Sequence, residues 1–202
     1  MDIKALAQKY EPYIIERRRY FHAHPELSFK EWETTKALVA EFEKMGMEIQ
    51  TFPDYPGLIA TLDTGKPGRT VMLRADIDAL PVKEGTGLDF ASQNEGVMHA
   101  CGHDNHMAML LGAAHILLEK KDELKGKVKF LLQSGEEMAC GAKYYVDHHI
   151  LDGVDAIFGQ HIWGTLDAPY VCVAAGNRMA SCDNFTIRVK GLQSHGSAPQ
   201  DG

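Results

Sequence analysis

KVKFLLQSGEE, residues 127–137, reads as an apolar strand that runs directly into two adjacent carboxylates. Phe130, Leu131 and Leu132 are consecutive, which suits a strand buried on both faces of a layered sheet. Thr70–Ile77 (TVMLRADI) has the same form and ends among Asp76 and Asp78. Ala156–Ile162 (AIFGQHI) is a third such run and carries Gln160 and His161 near its end. Ahead of an apolar helix over 104–119 lies His99-Ala-Cys101-Gly-His103-Asp104. In a parallel α/β sheet the strand C-termini share one edge, and sites are built there. Polar clusters after successive strands would therefore meet.

Outward from these strands, residues 2–24 place Ile3, Leu6, Ala7, Tyr10, Ile14, Ile15 and Arg18 at three- and four-residue steps, a helix closed by Pro25. Ser28 with Glu31 has the spacing of a capping box, and a second helix should run to about Lys44, with Gly46 as its C-terminal stop. Met47–Phe52 and Leu58–Leu62 read as strands, Gly65–Gly68 as a turn, and Ala142–His149 as a helix. The expectation is an α/β fold, a mixed and largely parallel sheet sandwiched by helices. From Tyr170 the texture changes. Strand-like runs Tyr170–Ala174 and Asn184–Val189 follow each other without a helix, so residues 1–176 read as one domain and 177–202 as the start of a smaller α+β one.

Composition narrows the function classes. The 202 residues are 45% hydrophobic and 24% charged, ordinary for a globular protein. A net charge of −7 argues against a polynucleotide partner. No apolar run reaches the roughly 18 residues of a membrane span, and no signal core follows Met1, so a cytoplasmic setting is expected. Cys101, Cys140, Cys172 and Cys182 form no CxxC pair and read as free thiols or metal ligands.

Cys101 and His103 can point the same way only if the backbone is extended, and Gly102 lets the chain turn tightly between them. Thiolate with imidazole suits zinc, nickel, cobalt or manganese better than calcium or magnesium. Alone, the pair also fits a buried loop cysteine beside a helix-terminal histidine. Glu136 and Glu137, being adjacent, should face opposite ways at a strand exit. One would bind metal and the other handle a proton, although such a pair also fits a solvated turn. His161 alone fits a core histidine. His99 and His106 could support a ligand and Asp76 reads equally as such a support or as a turn acid, whereas His22, His24, His115, His148 and His149 read as surface or core residues.

Taken together, RRRYFHAHPELSFKE (17–31), RADIDALP (74–81), HACGHDNHMAMLLGAA (99–114), QSGEEMACGAK (133–143), LDGVDAIFGQHIW (151–163) and VKGLQSHGSAP (189–199) resemble the M20 metallopeptidase family. The likeness is to its amidohydrolase branch, which includes hippurate hydrolases, auxin-conjugate hydrolases and N-acetyl-amino-acid deacetylases. It implies a zinc-exopeptidase-like catalytic domain that cleaves the amide bond of small N-acyl amino acids with one or two divalent ions, and a homodimer at full length. Cys101, His103, Glu137 and His161 match metal ligands. Glu136 matches the general base, and His195 a lid histidine that polarises the substrate carbonyl.

Departures accompany the likeness. Asn105 stands where most such proteins have glycine, Ser134-Gly135 where they have Pro-Ala, and Met138-Ala139-Cys140 where they have a glycine-rich run. The family continues for about as long again, with one more metal-binding histidine, whereas this sequence ends at Gly202. Residues 1–202 by themselves are therefore expected to turn over little or no substrate. The competing reading is a truncated, inactive metal-binding or interaction protein that keeps the family fold.

Overall fold

The computed structural model describes residues 2–181, 183 and 185–202. They fall into two units, Met1–Asp167 and Ala168–Gly202. The first opens with helices α1 (Ile3–Ala23) and α2 (Trp32–Lys44), then strands β1 (Glu48–Phe52), β2 (Tyr55–Asp63) and β3 (Thr70–Asp76). After a long loop come α3 (His103–Glu119), β4 (Lys127–Gln133), α4 (Gly141–Asp147) and β5 (Ala156–Gly159). The five strands form one sheet in the order β1-β2-β4-β3-β5. β1 and β4 are both antiparallel to β2, and β3 is parallel to β4 and β5, so β2 alone runs against the other four.

The two-residue alternation of the central strands sorts the core onto two faces. Leu58, Ala60, Leu62, Phe130 and Leu132 point to one side, where they meet Phe21, Leu38, Phe42, Met107 and Leu111 from α1, α2 and α3. Ile59, Leu131 and Met72 point to the other, against Tyr145 of α4 and Phe52. The expected sheet with helices on both faces is thus present, and the consecutive apolar residues of β4 are explained by burial from both sides.

Three expectations differ in detail. Ser28 does not cap α2. Its hydroxyl donates to Asp78 Oδ2 at 2.7 Å, and Glu31, which occupies the cap position, makes no side-chain capping bond. The cap comes from Glu26, whose carboxylate accepts the N–H groups of Glu33 (3.3 Å) and Thr34 (2.7 Å). β5 is not buried. It lies at the sheet edge with β3 as its partner, and Ile157 and Phe158 are 50% and 60% exposed. In the second unit, residues 170–174 and 185–189 form no strand, and Asn184, with which the second run begins, lies outside the described residues, as does Cys182. A strand needs a neighbour to satisfy its backbone groups, and alternation in sequence cannot supply one.

Candidate metal centre

Parallel pairing decides what can meet at the sheet edge. β3 and β4 are in register from Thr70 opposite Lys127 to Asp76 opposite Gln133, and Arg74 of β3 stands opposite Gly159 of β5. Asp78, Ser134 to Glu137, and His161 therefore leave the sheet on the same side. The N-terminus of α3 arrives there through Gly102, whose φ of +88° is one that glycine adopts without strain. A side chain at 102 would also collide with Ile162, whose Cδ1 lies 2.2 Å from where a Cβ would stand. That close approach draws the exit of β5 onto the Cys101–His103 turn.

The structure brings the four proposed ligands together. Cys101 Sγ lies 3.4 Å from His161 Nε2, and His103 Nε2 lies 3.7 Å from both Glu137 Oε1 and Glu136 Oε2. Cys101, His103 and His161 offer ligand atoms within 4.8 Å of one another, and so do His103, Glu136 and Glu137. Glu136 and Glu137 do not face opposite ways. Gly135 adopts a φ of +72°, and the single helical turn Glu136–Met138 bends both carboxylates toward His103. They differ in exposure instead, Glu136 being 39% exposed at its side chain and Glu137 17%.

Three observations bear on whether these residues suit a cation. His103 Nδ1 lies 2.8 Å from the Asp78 carbonyl oxygen, which can only accept, so Nδ1 carries the proton and Nε2 presents a lone pair. His161 is set the same way by its Nδ1 contact with the Ile162 carbonyl. His103 Nε2 and Glu137 Oε1 are buried without a hydrogen-bond partner, a costly state for polar atoms. The Cys101 thiol is pushed up to about 12 by burial and by the charges of Glu137 and Glu136. A divalent cation among these atoms would use the free lone pairs, relieve the unpartnered His103 Nε2 and Glu137 Oε1, and favour the Cys101 thiolate. Ligands of a tetrahedral site with bonds of about 2.0–2.3 Å stand roughly 3.3–3.8 Å apart, which accommodates the observed spacings.

The supporting groups divide into two chains. Asp78 braces His103 Nδ1 through its carbonyl, its Oδ1 lies 3.2 Å from the same nitrogen without a hydrogen bond, and its Oδ2 accepts the Glu137 N–H at 3.0 Å. Arg74 pairs with Asp76, Asp76 Oδ2 lies 3.3 Å from His106 Nδ1, and His106 Nε2 accepts the Ile162 N–H at 3.2 Å. Both His106 nitrogens are thus engaged, and the imidazole steadies the residue after His161. Burial lowers the His106 pKa. At His103 burial is outweighed by Asp78 and Asp76, and the pKa rises. Glu136 is raised by burial and by the Asp76 charge. His99 is buried with neither nitrogen partnered, and burial drives its pKa down to about 4.

Sequence reasoning missed Asp78 as the brace of His103, although RADID places Asp76 and Asp78 on one face of an extended run. It also left His22 without a role. His22 Nδ1 lies 2.8 Å from Asp104 Oδ2 and its Nε2 3.1 Å from Glu84 Oε1, and Arg18 Nε donates to the same Asp104 oxygen at 2.8 Å. This buried group ties the first turn of α3 to α1. His195 belongs to the second unit, where its Nδ1 lies 2.9 Å from Ser197 Oγ.

The sequence profile described as Peptidase family M20/M25/M40 matches residues 72–197. The chain belongs to this family. It is 41% identical over 199 residues to an N-acyl-L-amino acid amidohydrolase of Geobacillus stearothermophilus, covering 98% of this chain and 54% of that protein. It is 44% identical over 189 residues to an N-acetylcysteine deacetylase of Bacillus subtilis, with coverage of 93% and 50%. Among solved structures, the Bacillus subtilis YXEP protein, described as a dinuclear metal-binding peptidase of the M20 family, superposes with a TM-score of 0.74 at 44% identity. That match covers 81% of this chain and 45% of the other. The chain spans about half the length of the curated relatives it matches.

Proposed function

We propose that this M20-family chain carries the metal-binding part of an amidohydrolase that cleaves small N-acyl amino acids. The carrying observation is the convergence of Cys101, His103, Glu137 and His161, with His103 Nε2 and Glu137 Oε1 buried and unpartnered. These four residues would hold one or two divalent ions, zinc, manganese, nickel or cobalt, and a bound ion would lower the pKa of a water molecule toward neutrality. Glu136 is the general base in this reading. It is the more exposed of the two carboxylates, and burial and Asp76 raise its proton affinity, so it can take a proton and return it to the leaving amine. His195, carried by the second unit, is proposed to polarise the substrate carbonyl. The names of the relatives support N-acyl amino acids as substrates. A homodimer, a smaller domain beginning near residue 177 and a reducing cytoplasmic setting belong to the same proposal, the last because Cys101 must stay a free thiol. No described helix is long and apolar enough to cross a membrane.

The test has two arms on the purified protein. Elemental analysis should find one of these metals, and Cys101→Ser combined with His103→Ala should remove it. Incubation of a version as long as the relatives with N-acetyl and N-benzoyl amino acids should release free amine. Metal content unchanged in the double variant would overturn the ligand assignment. Bound metal without amine release from any of these compounds would favour a metal-binding or interaction protein that keeps the fold without turnover.

A further inference from the structure

Glu31 is a buried acid that the chemistry above does not use. It occupies the cap position of α2, yet its side chain leaves the helix N–H groups to Glu26 and turns inward, fully buried. There Oε1 accepts the Gly135 N–H at 3.1 Å, and Ser134 Oγ lies 2.8 and 2.7 Å from Oε1 and Oε2. Among the described residues no lysine or arginine pairs with it, so an ionised Glu31 would be a buried charge without a counterion. The contacts suit the neutral acid equally well, with Oε2–H donating to Ser134 Oγ while Oε1 accepts from Gly135. Burial raises the pKa of Glu31 to about 7, which agrees with that form. Ser134 and Gly135 are the residues through which β4 becomes the Glu136–Met138 turn. Gly135 is in the left-handed region, and Phe29 lies over it closely enough to exclude a side chain. The middle of the turn is held separately, by the Glu137 N–H on Asp78.

We propose that Glu31 is the positioning residue of the Glu136–Met138 turn, clamping its entry through Ser134 and Gly135 while Asp78 holds the N–H of Glu137. This rests on the roles of Glu136 and Glu137 proposed above. The experiment compares Glu31→Ala and Glu31→Gln in the whole protein. Two readouts are followed, peptide-resolved amide hydrogen exchange over residues 134–138 and affinity for Mn²⁺ by titration against a chelator. Glutamine keeps both contacts, its amide N–H₂ donating to Ser134 and its oxygen accepting from Gly135, whereas alanine keeps neither. In Glu31→Ala, exchange of 134–138 should quicken by about tenfold or more, and Mn²⁺ affinity should fall roughly 10–100-fold. Glu31→Gln should restore both. Lowered thermal stability in Glu31→Ala with unchanged exchange at 134–138 and unchanged Mn²⁺ affinity would overturn the proposal, and so would a glutamine variant as impaired as the alanine one. Should Glu31→Ala fail to fold, Ser134→Ala, which keeps the Gly135 contact, should shift both readouts the same way by less; no shift overturns the proposal. A wild-type protein that takes up no Mn²⁺, zinc, nickel or cobalt would refute the proposed function, and the exchange comparison would still decide this one.

Discussion

Two neighbouring glutamates differ in their surroundings at the residue scale. Glu137 presents a buried, unpartnered oxygen to His103, whereas Glu136 is more open and its proton affinity is raised. In a version as long as the relatives, Glu136→Gln should therefore keep its metal and lose roughly 10²–10⁴ in turnover, and Glu137→Gln should lose the metal itself. Parallel amine-release and metal assays check this, and loss of metal in Glu136→Gln would mean the roles are exchanged. Glu31 gives a pH signature of its own. Below about pH 4.5 its carboxyl is protonated whether the chain is folded or not. Between there and about 7 the unfolded chain releases the proton and the folded one retains it, so stability falls as pH rises through that window and is level above it. The loss is on the order of 3 kcal/mol, to which the charge of Asp78 contributes, whereas Tyr55 and Tyr145, which also face Glu31, have raised pKa values and stay neutral throughout this window. Urea unfolding of wild type and Glu31→Gln at pH 5 and 7.5 isolates it, and an equal decline in both proteins would refute the assignment. That Cys101, His103, Glu137 and His161 would come together was legible in the sequence because their places at strand exits are local facts. The contacts of Glu31 and Asp78 were not, because their partners lie far along the chain: Ser134 stands 103 residues from Glu31, and His103 stands 25 from Asp78.

At the scale of elements, the junction before α3 carries the most constraint. Gly102 combines a positive φ with a contact that leaves no room for a Cβ beside Ile162. Gly46, after α2, has a φ of +69° but open space around it. Gly46→Ala should thus cost only the conformational penalty, about 1 kcal/mol, and leave metal binding intact. Gly102→Ala should cost more, on the order of 2–4 kcal/mol once displacement of Ile162 is added, and weaken metal binding because Ile162 follows His161. Denaturant unfolding with metal titration compares the two, and equal effects would show that the contact carries no load. Periodicity made the helices and central strands readable, since each pattern records its own burial. The exposure of β5 was not readable, because edge or centre is a property of strand order. The Ser28–Glu31 spacing looked like a capping box for a related reason: it shows that two side chains could cap a helix, and not that Asp78 and Ser134 would claim them first.

At the scale of the molecule, folding and metal binding are joined. The first unit folds three strand exits and the head of α3 into one place, and in doing so it buries His103 Nε2 and Glu137 Oε1 unpartnered and holds Cys101 as a thiol. Each is a cost of folding without a cation, and each is relieved when a cation is held, so the ion stabilises the folded state over the unfolded one. At a free metal concentration a hundred times the dissociation constant the gain is about 2.7 kcal/mol. For a domain of this size that corresponds to a rise of roughly 5–10 °C in Tm. Chelation followed by dialysis should lower Tm by that amount, and re-addition of zinc or manganese should restore it. The Cys101→Ser, His103→Ala variant supplies the control, because it removes the ligands together with the need for an ion. Its Tm should respond to neither treatment. A wild-type Tm indifferent to chelation and to added metal would mean that the buried lone pairs are satisfied in another way, and the argument for a cation at this edge of the sheet would fall with it.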